Sequence, residues 1–164
     1  MANATAGQQK VYNVFRDSPL RYMGYANEVG ESFRYQFPKF VLPSYCLAFG
    51  YCLLDAATTG YDTWYSYKPK PASFTKQPRS QEMTTFVATV DTLLWQSLAT
   101  VMIPGATINV IVKCCRFAVS RVSLPIALAT WMPTGVGLAS IPIIIKPIDN
   151  TVDYMLDNTT RQWM

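Results

Sequence analysis

Three stretches of this chain are free of charge, or broken by a single carboxylate, for long enough to cross a lipid bilayer, and that constrains its fold more than any other feature. Residues 40–54 are free of charge between Lys39 and Asp55, and residues 56–61 continue without charge past that single carboxylate. Residues 92–112 are uncharged, and the window opens back to Met83 if Asp91 is tolerated. Residues 122–145 are uncharged between Arg121 and Lys146. A helix rises about 1.5 Å per residue, so about 20 residues cover a hydrocarbon core of roughly 30 Å. A soluble helical core would instead show amphipathic stripes, which these windows lack. The reading is all-α: one membrane domain over 1–164, a multi-pass transmembrane helical bundle of about three spans at 40–61, 84–112 and 122–145.

Composition enters as support. Only 15% of the chain is charged and 50% is apolar, against about 25% charged in ordinary soluble domains. Mean hydropathy is +0.11, too low to decide by itself, because Tyr, Thr, Ser and Pro dilute it. Prolines complicate the spans. Pro43 and Pro125 fall in first turns, where a missing N–H costs little. Pro104-Gly105 and the stretch from Pro133 to Gly137 are expected to kink, which bundled membrane helices tolerate.

The flanks read differently. Ser18 can cap a helix and Pro19 can occupy its first position, after which Tyr22, Ala26, Val29 and Phe33 recur at helical spacing with Glu28, Glu31 and Arg34 opposite. This predicts an amphipathic N-terminal helix over 16–37, lying on the membrane surface or against the bundle. An amphipathic C-terminal helix is predicted over 148–160, with Ile148, Val152, Met155 and Leu156 on one face, Asp149, Asp153 and Asp157 on another, and Asp149 as its cap. Between the first two spans, 60–82 is rich in Pro, Ser and cations and reads as an exposed loop, with Trp64, Tyr65 and Tyr67 at headgroup level.

Three spans place the N-terminal segment and the 113–121 connection on one side and the 60–82 loop and the C-terminus on the other. The cations divide eight against six, so the positive-inside rule does not orient the chain. Asp55 and Asp91 are both expected near the loop-side interface, paired there or touching another helix, since a charge at mid-membrane costs roughly 2.5 to 3.5 kcal/mol on insertion scales. A proton path through Asp91 is the disfavoured reading. The first fifteen residues hold one cation, Lys10, and neither an apolar signal core nor an Arg-rich amphipathic pattern. Import is then expected to use internal signals, or a presequence that this chain does not include.

Catalytic chemistry finds no foothold. There is no histidine to serve as a base, and Cys46, Cys52, Cys114 and Cys115 lack metal-site spacing. Cys46 and Cys52 read as packing residues. Gly24 to Gly30 is not preceded by the strand a dinucleotide fingerprint needs. Scattered cations and a net charge of +4 do not make a nucleic-acid footprint. No cofactor, metal, nucleic acid or small-molecule substrate is expected, and the chain reads as no enzyme.

Three segments carry a resemblance: RDSPLRYMGYANEVGESFR at 16–34, VDTLLWQSLATVMIPGATIN at 90–109 and GLASIPIIIKPIDNTVDYMLD at 137–157. In these the chain resembles the mitochondrial fission process protein family, also called the mitochondrial 18 kDa protein family. The resemblance implies a small multi-pass protein of the mitochondrial inner membrane, needed for mitochondrial division and inner-membrane integrity, with no catalytic residues to carry over. A second reading is a structural accessory subunit of a larger inner-membrane assembly such as a respiratory chain complex or ATP synthase. The loop at 60–82 suits embedding against such partners. A carrier or channel is disfavoured, because three short spans with one or two carboxylates make a poor pore. Membrane lipids and other inner-membrane proteins are the expected partners. The candidate interaction residues are Gly24, Tyr25, Asn27, Glu28, Gly30, Asp91, Asn109 and Asp149. Gly24, Gly30, Ala26 and Ser32 are small enough to let the N-terminal helix lie close to a partner or to its own bundle.

Overall fold

In the computed structural model, which describes residues 21–67 and 80–163, every regular element is helical. A short helix α1 (Arg21–Gly24) turns at Tyr25 into α2 (Ala26–Ser32). A one-turn 3-10 helix, Pro38–Phe40, leads into α3 (Val41–Ser66). Helix α4 (Gln81–Gln96) passes through a π-helical stretch, Ser97–Met102, into α5 (Ile103–Val119). The chain closes with α6 (Ile126–Asp157) and α7 (Thr160–Trp163). Three helical stretches, Pro38–Tyr65, Gln81–Val119 and Ile126–Gln162, are long and apolar enough to cross a membrane.

Antiparallel pairing sets the registers. Along α3, Gly60 faces Thr89, Asp55 meets Gln96 and Tyr45 lies over Gly105, so α3 runs opposite to the continuous α4–α5 helix. Gly137 of α6 faces Val112 of α5, and Ile148, Val152 and Leu156 pack on Trp95 and Ala99. Into the angle between α3, α5 and α6 fits α2, which touches all three. Large apolar side chains are exposed and several polar ones are enclosed, beside an apolar core. Leu42, Leu53, Phe86, Val110, Ile126 and Ile143 are exposed, while Asn27, Glu28, Glu31, Asp55, Gln96 and Thr134 are buried. Lipid tails are as apolar as leucine, so polar contacts and close packing, rather than burial of leucines, favour helix association there. Hydroxyls are consumed locally: Thr63, Thr89, Thr107, Thr130 and Ser140 each donate to the carbonyl four residues back.

Several sequence expectations need correction. The first helix extends beyond residue 61 to Ser66. Its last turns are held by Tyr61 on Tyr65, with ring centroids 4.4 Å apart, and by Gln81, whose side-chain amide donates to the Trp64 carbonyl at 2.8 Å. The predicted loop at 60–82 is therefore helical at both ends, and Ser80 caps α4 by accepting from the Met83 N–H at 3.2 Å. Residues 68–79 lie outside the described residues, as does the expected cap of the N-terminal helix at Ser18-Pro19.

The C-terminal amphipathic stretch is the end of α6 rather than a separate helix, and Asp149 is inside that helix rather than its cap. Ile148, Val152 and Leu156 do face inward, but Met155 is exposed. Helix α6 runs unbroken through Pro133, Pro142 and Pro147, while the irregularity expected at Pro104 appears upstream as the π-helical stretch. Proline cannot donate to the carbonyl a turn back, and a widened turn absorbs that missing bond. Cys52 is a packing residue, as expected, but Cys46 is exposed.

The structure decides how α2 faces. The expectation is an amphipathic helix on the membrane surface or against the bundle, with Glu28, Glu31 and Arg34 opposite Tyr22, Ala26, Val29 and Phe33. The helix lies against the bundle with Glu28 and Glu31 enclosed, and Tyr22 and Val29 are exposed. A bundle surrounded by lipid reverses the usual sense of an amphipathic helix, because polar atoms find partners only in the protein interior.

Close approach makes Gly30 a sensitive position, since a Cβ there would overlap the Ser44 hydroxyl, whereas Gly50 faces open space. Gly30→Ala should destabilise the detergent-solubilised protein by about 1 to 3 kcal/mol, read as a lowered thermal unfolding temperature. Gly50→Ala should leave that temperature unchanged or slightly raised, and adding Ser44→Ala to Gly30→Ala should recover part of the loss.

Candidate functional site

Two carboxylates one turn apart on α2 stand in opposite situations. Glu31 is 1% exposed and receives four donors on its two oxygens. Arg34 donates through Nε at 2.7 Å and Nη2 at 2.6 Å. Tyr45 of α3 donates its hydroxyl at 3.0 Å, and Asn109 of α5 donates Nδ2 at 2.7 Å. Burial alone would push this carboxyl up, but the Arg34, Asn109 and Tyr45 donors outweigh it and hold Glu31 below the ordinary carboxylate range. Glu28 is fully enclosed, and neither of its oxygens has a hydrogen-bond partner. Desolvation pushes its pKa up to about 8, offset only in part by its own backbone N–H.

Further polar side chains are enclosed near this pair, alongside the apolar clusters of the interior. Asn27 donates Nδ2 to the Val101 carbonyl at 3.0 Å, within the π-helical stretch, while its own side-chain oxygen is unpartnered. Thr100 donates to Gln96 Oε1 at 2.6 Å, and Gln96 in turn donates to Asp55. Asp55 is expected near the loop-side interface, paired there or touching another helix. It is fully enclosed, and the Gln96 amide makes that burial tolerable by donating to one carboxylate oxygen.

Of the sequence candidates, the structure brings six together. Gly24 lies against Tyr51 and Thr100, where a Cβ would come within 2.7 Å of Thr100 Cγ2. Tyr25 is enclosed at the turn between α1 and α2. Asn27, Glu28, Gly30 and Asn109 complete the group. Asp149 is elsewhere, half-buried on α6. Asp91 belongs to a second cluster, held by Arg161 through Nε at 2.8 Å and Nη2 at 3.0 Å. Arg161 also reaches Asp157 at 2.8 Å and Asp153 at 3.3 Å. This arginine, about a third exposed, ties the end of the third helical stretch to the α4 region of the second.

Sequence reading missed Glu31, Tyr45, Gln96 and Thr100 as members of the polar interior. Glu31 could have been found from its spacing of three from Glu28, because two acids on one turn of a helix beside apolar spans need partners. Nothing in the local sequence signals Tyr45, Gln96 or Thr100. Among the described residues no group of three or more His, Cys, Asp or Glu is arranged to hold a metal ion.

The amino-acid sequence matches a known family. Residues 5–156 fit the family described as Mitochondrial 18 kDa protein (MTP18). The chain belongs to that family. Relatives named Mitochondrial fission process protein 1 are 40% identical over 155 residues in Caenorhabditis elegans and 41% over 152 residues in Homo sapiens, each covering 92% of this chain and 87% of the relative. The relative from Danio rerio is 38% identical over 155 residues, covering 93% of this chain and 89% of its own. No solved structure matches this chain. The family match takes in α2, the first two long helical stretches and the third as far as residue 156, whereas Asp157 and Arg161 lie beyond it.

The two clusters respond differently to solution conditions. A carboxyl whose pKa is raised on folding binds its proton more tightly in the folded state. Its contribution is fully present below about 4.5, and is lost as pH rises towards 8. Unfolding temperature should therefore fall between pH 5 and pH 8 in the wild type and fall less in Glu28→Gln, which should be the more stable of the two at pH 8. The Arg161 cluster is partly exposed, so Asp91→Asn should cost no more than about 1 kcal/mol. That variant should show faster proteolysis at the C-terminus and a smaller dependence of that rate on salt.

Proposed function

We propose that this chain is a non-catalytic factor in mitochondrial fission, resident in the mitochondrial inner membrane, where it contributes to the integrity of that membrane. The observation that carries the reading is family membership over nearly the whole chain, with relatives named for the fission process. Three helices long and apolar enough to cross a membrane support residence in a bilayer. A non-catalytic role is supported by where the polar groups are spent. Glu31, Asn109, Tyr45, Gln96 and Asp55 hold the protein's own helices to one another, so they join elements rather than face a substrate. The family resemblance favours the inner membrane over the outer.

Depletion of the protein should lengthen the mitochondrial network, and re-expression should restore it; unchanged length on depletion would remove the fission role. Protease added to intact mitochondria should leave the protein whole, and rupture of the outer membrane should expose one end to cleavage. Cleavage in intact mitochondria would place it in the outer membrane. Native gel separation after gentle extraction addresses the accessory-subunit reading. Stoichiometric migration with a respiratory or ATP-synthesising complex would replace the fission-factor reading with that one.

A further inference from the structure

Among the described residues, cations gather at one end of the bundle. The segment after α2, the 3-10 helix, the last turns of α5 and the turn that follows bring Arg34, Lys39, Lys113, Arg116 and Arg121 to the same end. Two contacts tie these segments to each other. The Arg116 guanidinium lies over the Tyr35 ring, 4.0 Å from its centroid. Gln36 donates Nε2 to the Thr130 carbonyl at 2.6 Å, near the start of α6. Arg34 is engaged by Glu31, but Lys39, Lys113, Arg116 and Arg121 are exposed, and among the described residues none of the four forms an ion pair. The exposed carboxylates Asp62, Glu82 and Asp157 sit at the opposite end.

Depth decides what such a cluster can meet. Phe37 and Phe40 pack edge to face, with centroids 6.0 Å apart, and both are exposed, as are Tyr35 and Phe117. Exposed aromatics at the end of spanning helices mark the headgroup level of a bilayer. On α5, Val110, Lys113 and Phe117 share one exposed face, so an apolar flank runs directly beneath a cation. Unpaired cations at that level attract phosphate, and the flank below them suits acyl chains.

We propose that this end of the bundle binds anionic phospholipid, with the headgroup phosphate taken by Lys113 and Arg116 and Lys39 and Arg121 adding to the local field. The proposal rests on the spanning arrangement of the helices and is independent of any role in fission. Lipid rather than a free anion is the occupant because the cations are flanked by exposed aromatic and apolar side chains.

The test uses the full chain in nonionic detergent, titrated with phosphatidylglycerol or with phosphatidylcholine of the same acyl chains, and native mass spectrometry to count retained lipid. Phosphatidylglycerol should be retained in preference. Lys113→Gln with Arg116→Gln should weaken that preference by about five-fold per cation removed, while Lys146→Gln, away from this end on α6, should match the wild type. Equal retention of the two lipids by the wild type would overturn the proposal without reference to any variant. An undiminished preference in a K113Q/R116Q protein of wild-type helical content would also overturn it. Millimolar inorganic phosphate should not displace the bound lipid; displacement would show a site for free anions instead.

Discussion

The Glu31 carboxylate is the point on which this bundle is assembled. Its four donors come from its own segment, from α3 and from α5, so one side chain joins three elements. Arg34 is only part-buried, but breaking the cluster would leave a buried carboxylate and the donors from α3 and α5 unpaired. The short helix that carries Glu31 is thereby fixed with its acids inward; its Gly30 lets it approach Ser44 closely, and Gly24 at the end of α1 lets that helix approach Tyr51 and Thr100. Close backbone approach and polar bridging are the two sources of helix association available in a bilayer, and both act on this segment.

The second long helix adapts to that wedge. Pro104 removes a backbone donor, and the stretch before it widens into π-helical turns. Such turns displace carbonyls from their usual partners, and Asn27 takes up the one at Val101. Gly105, next to the proline, lies where a Cβ would come within 2.8 Å of the Asn27 side chain and 2.7 Å of the Tyr45 hydroxyl. Proline, glycine and asparagine therefore work together: one disturbs the helix, one permits close approach and one satisfies the exposed carbonyl. Glu28, a turn from Glu31, has none of these supports, and its carboxyl is displaced upward as a result. Among the described residues the two ends of the bundle differ in kind, since Arg161 gathers three aspartates at one and cations without an ion pair crowd the other.

Legibility in the sequence followed the range of the interactions concerned. Charge depletion at 40–54, 92–112 and 122–145 located the spans because exclusion of charge from hydrocarbon acts on every residue of a window at once. Helix ends were less legible. Ser66 and Asp157 end their helices through contacts such as Tyr61 on Tyr65 and through continuation of α6 past Lys146, neither of which a charge-free window records. Among site residues, Asn27, Glu28 and Asn109 stood out as polar groups beside apolar runs. Gln96 and Thr100 did not, because a lone amide or hydroxyl in a span gives no local sign of its partner.

By itself the sequence determined that the chain is helical and built to cross a membrane, since segment length and missing charge are local properties that lipid reads directly. It also determined the family, through 16–34, 90–109 and 137–157. Only the tertiary structure decided which way α2 faces. An amphipathic pattern specifies two faces but not the solvent that each will meet, and in a bundle sheathed by lipid the polar face turned inward to find Arg34, Tyr45 and Asn109.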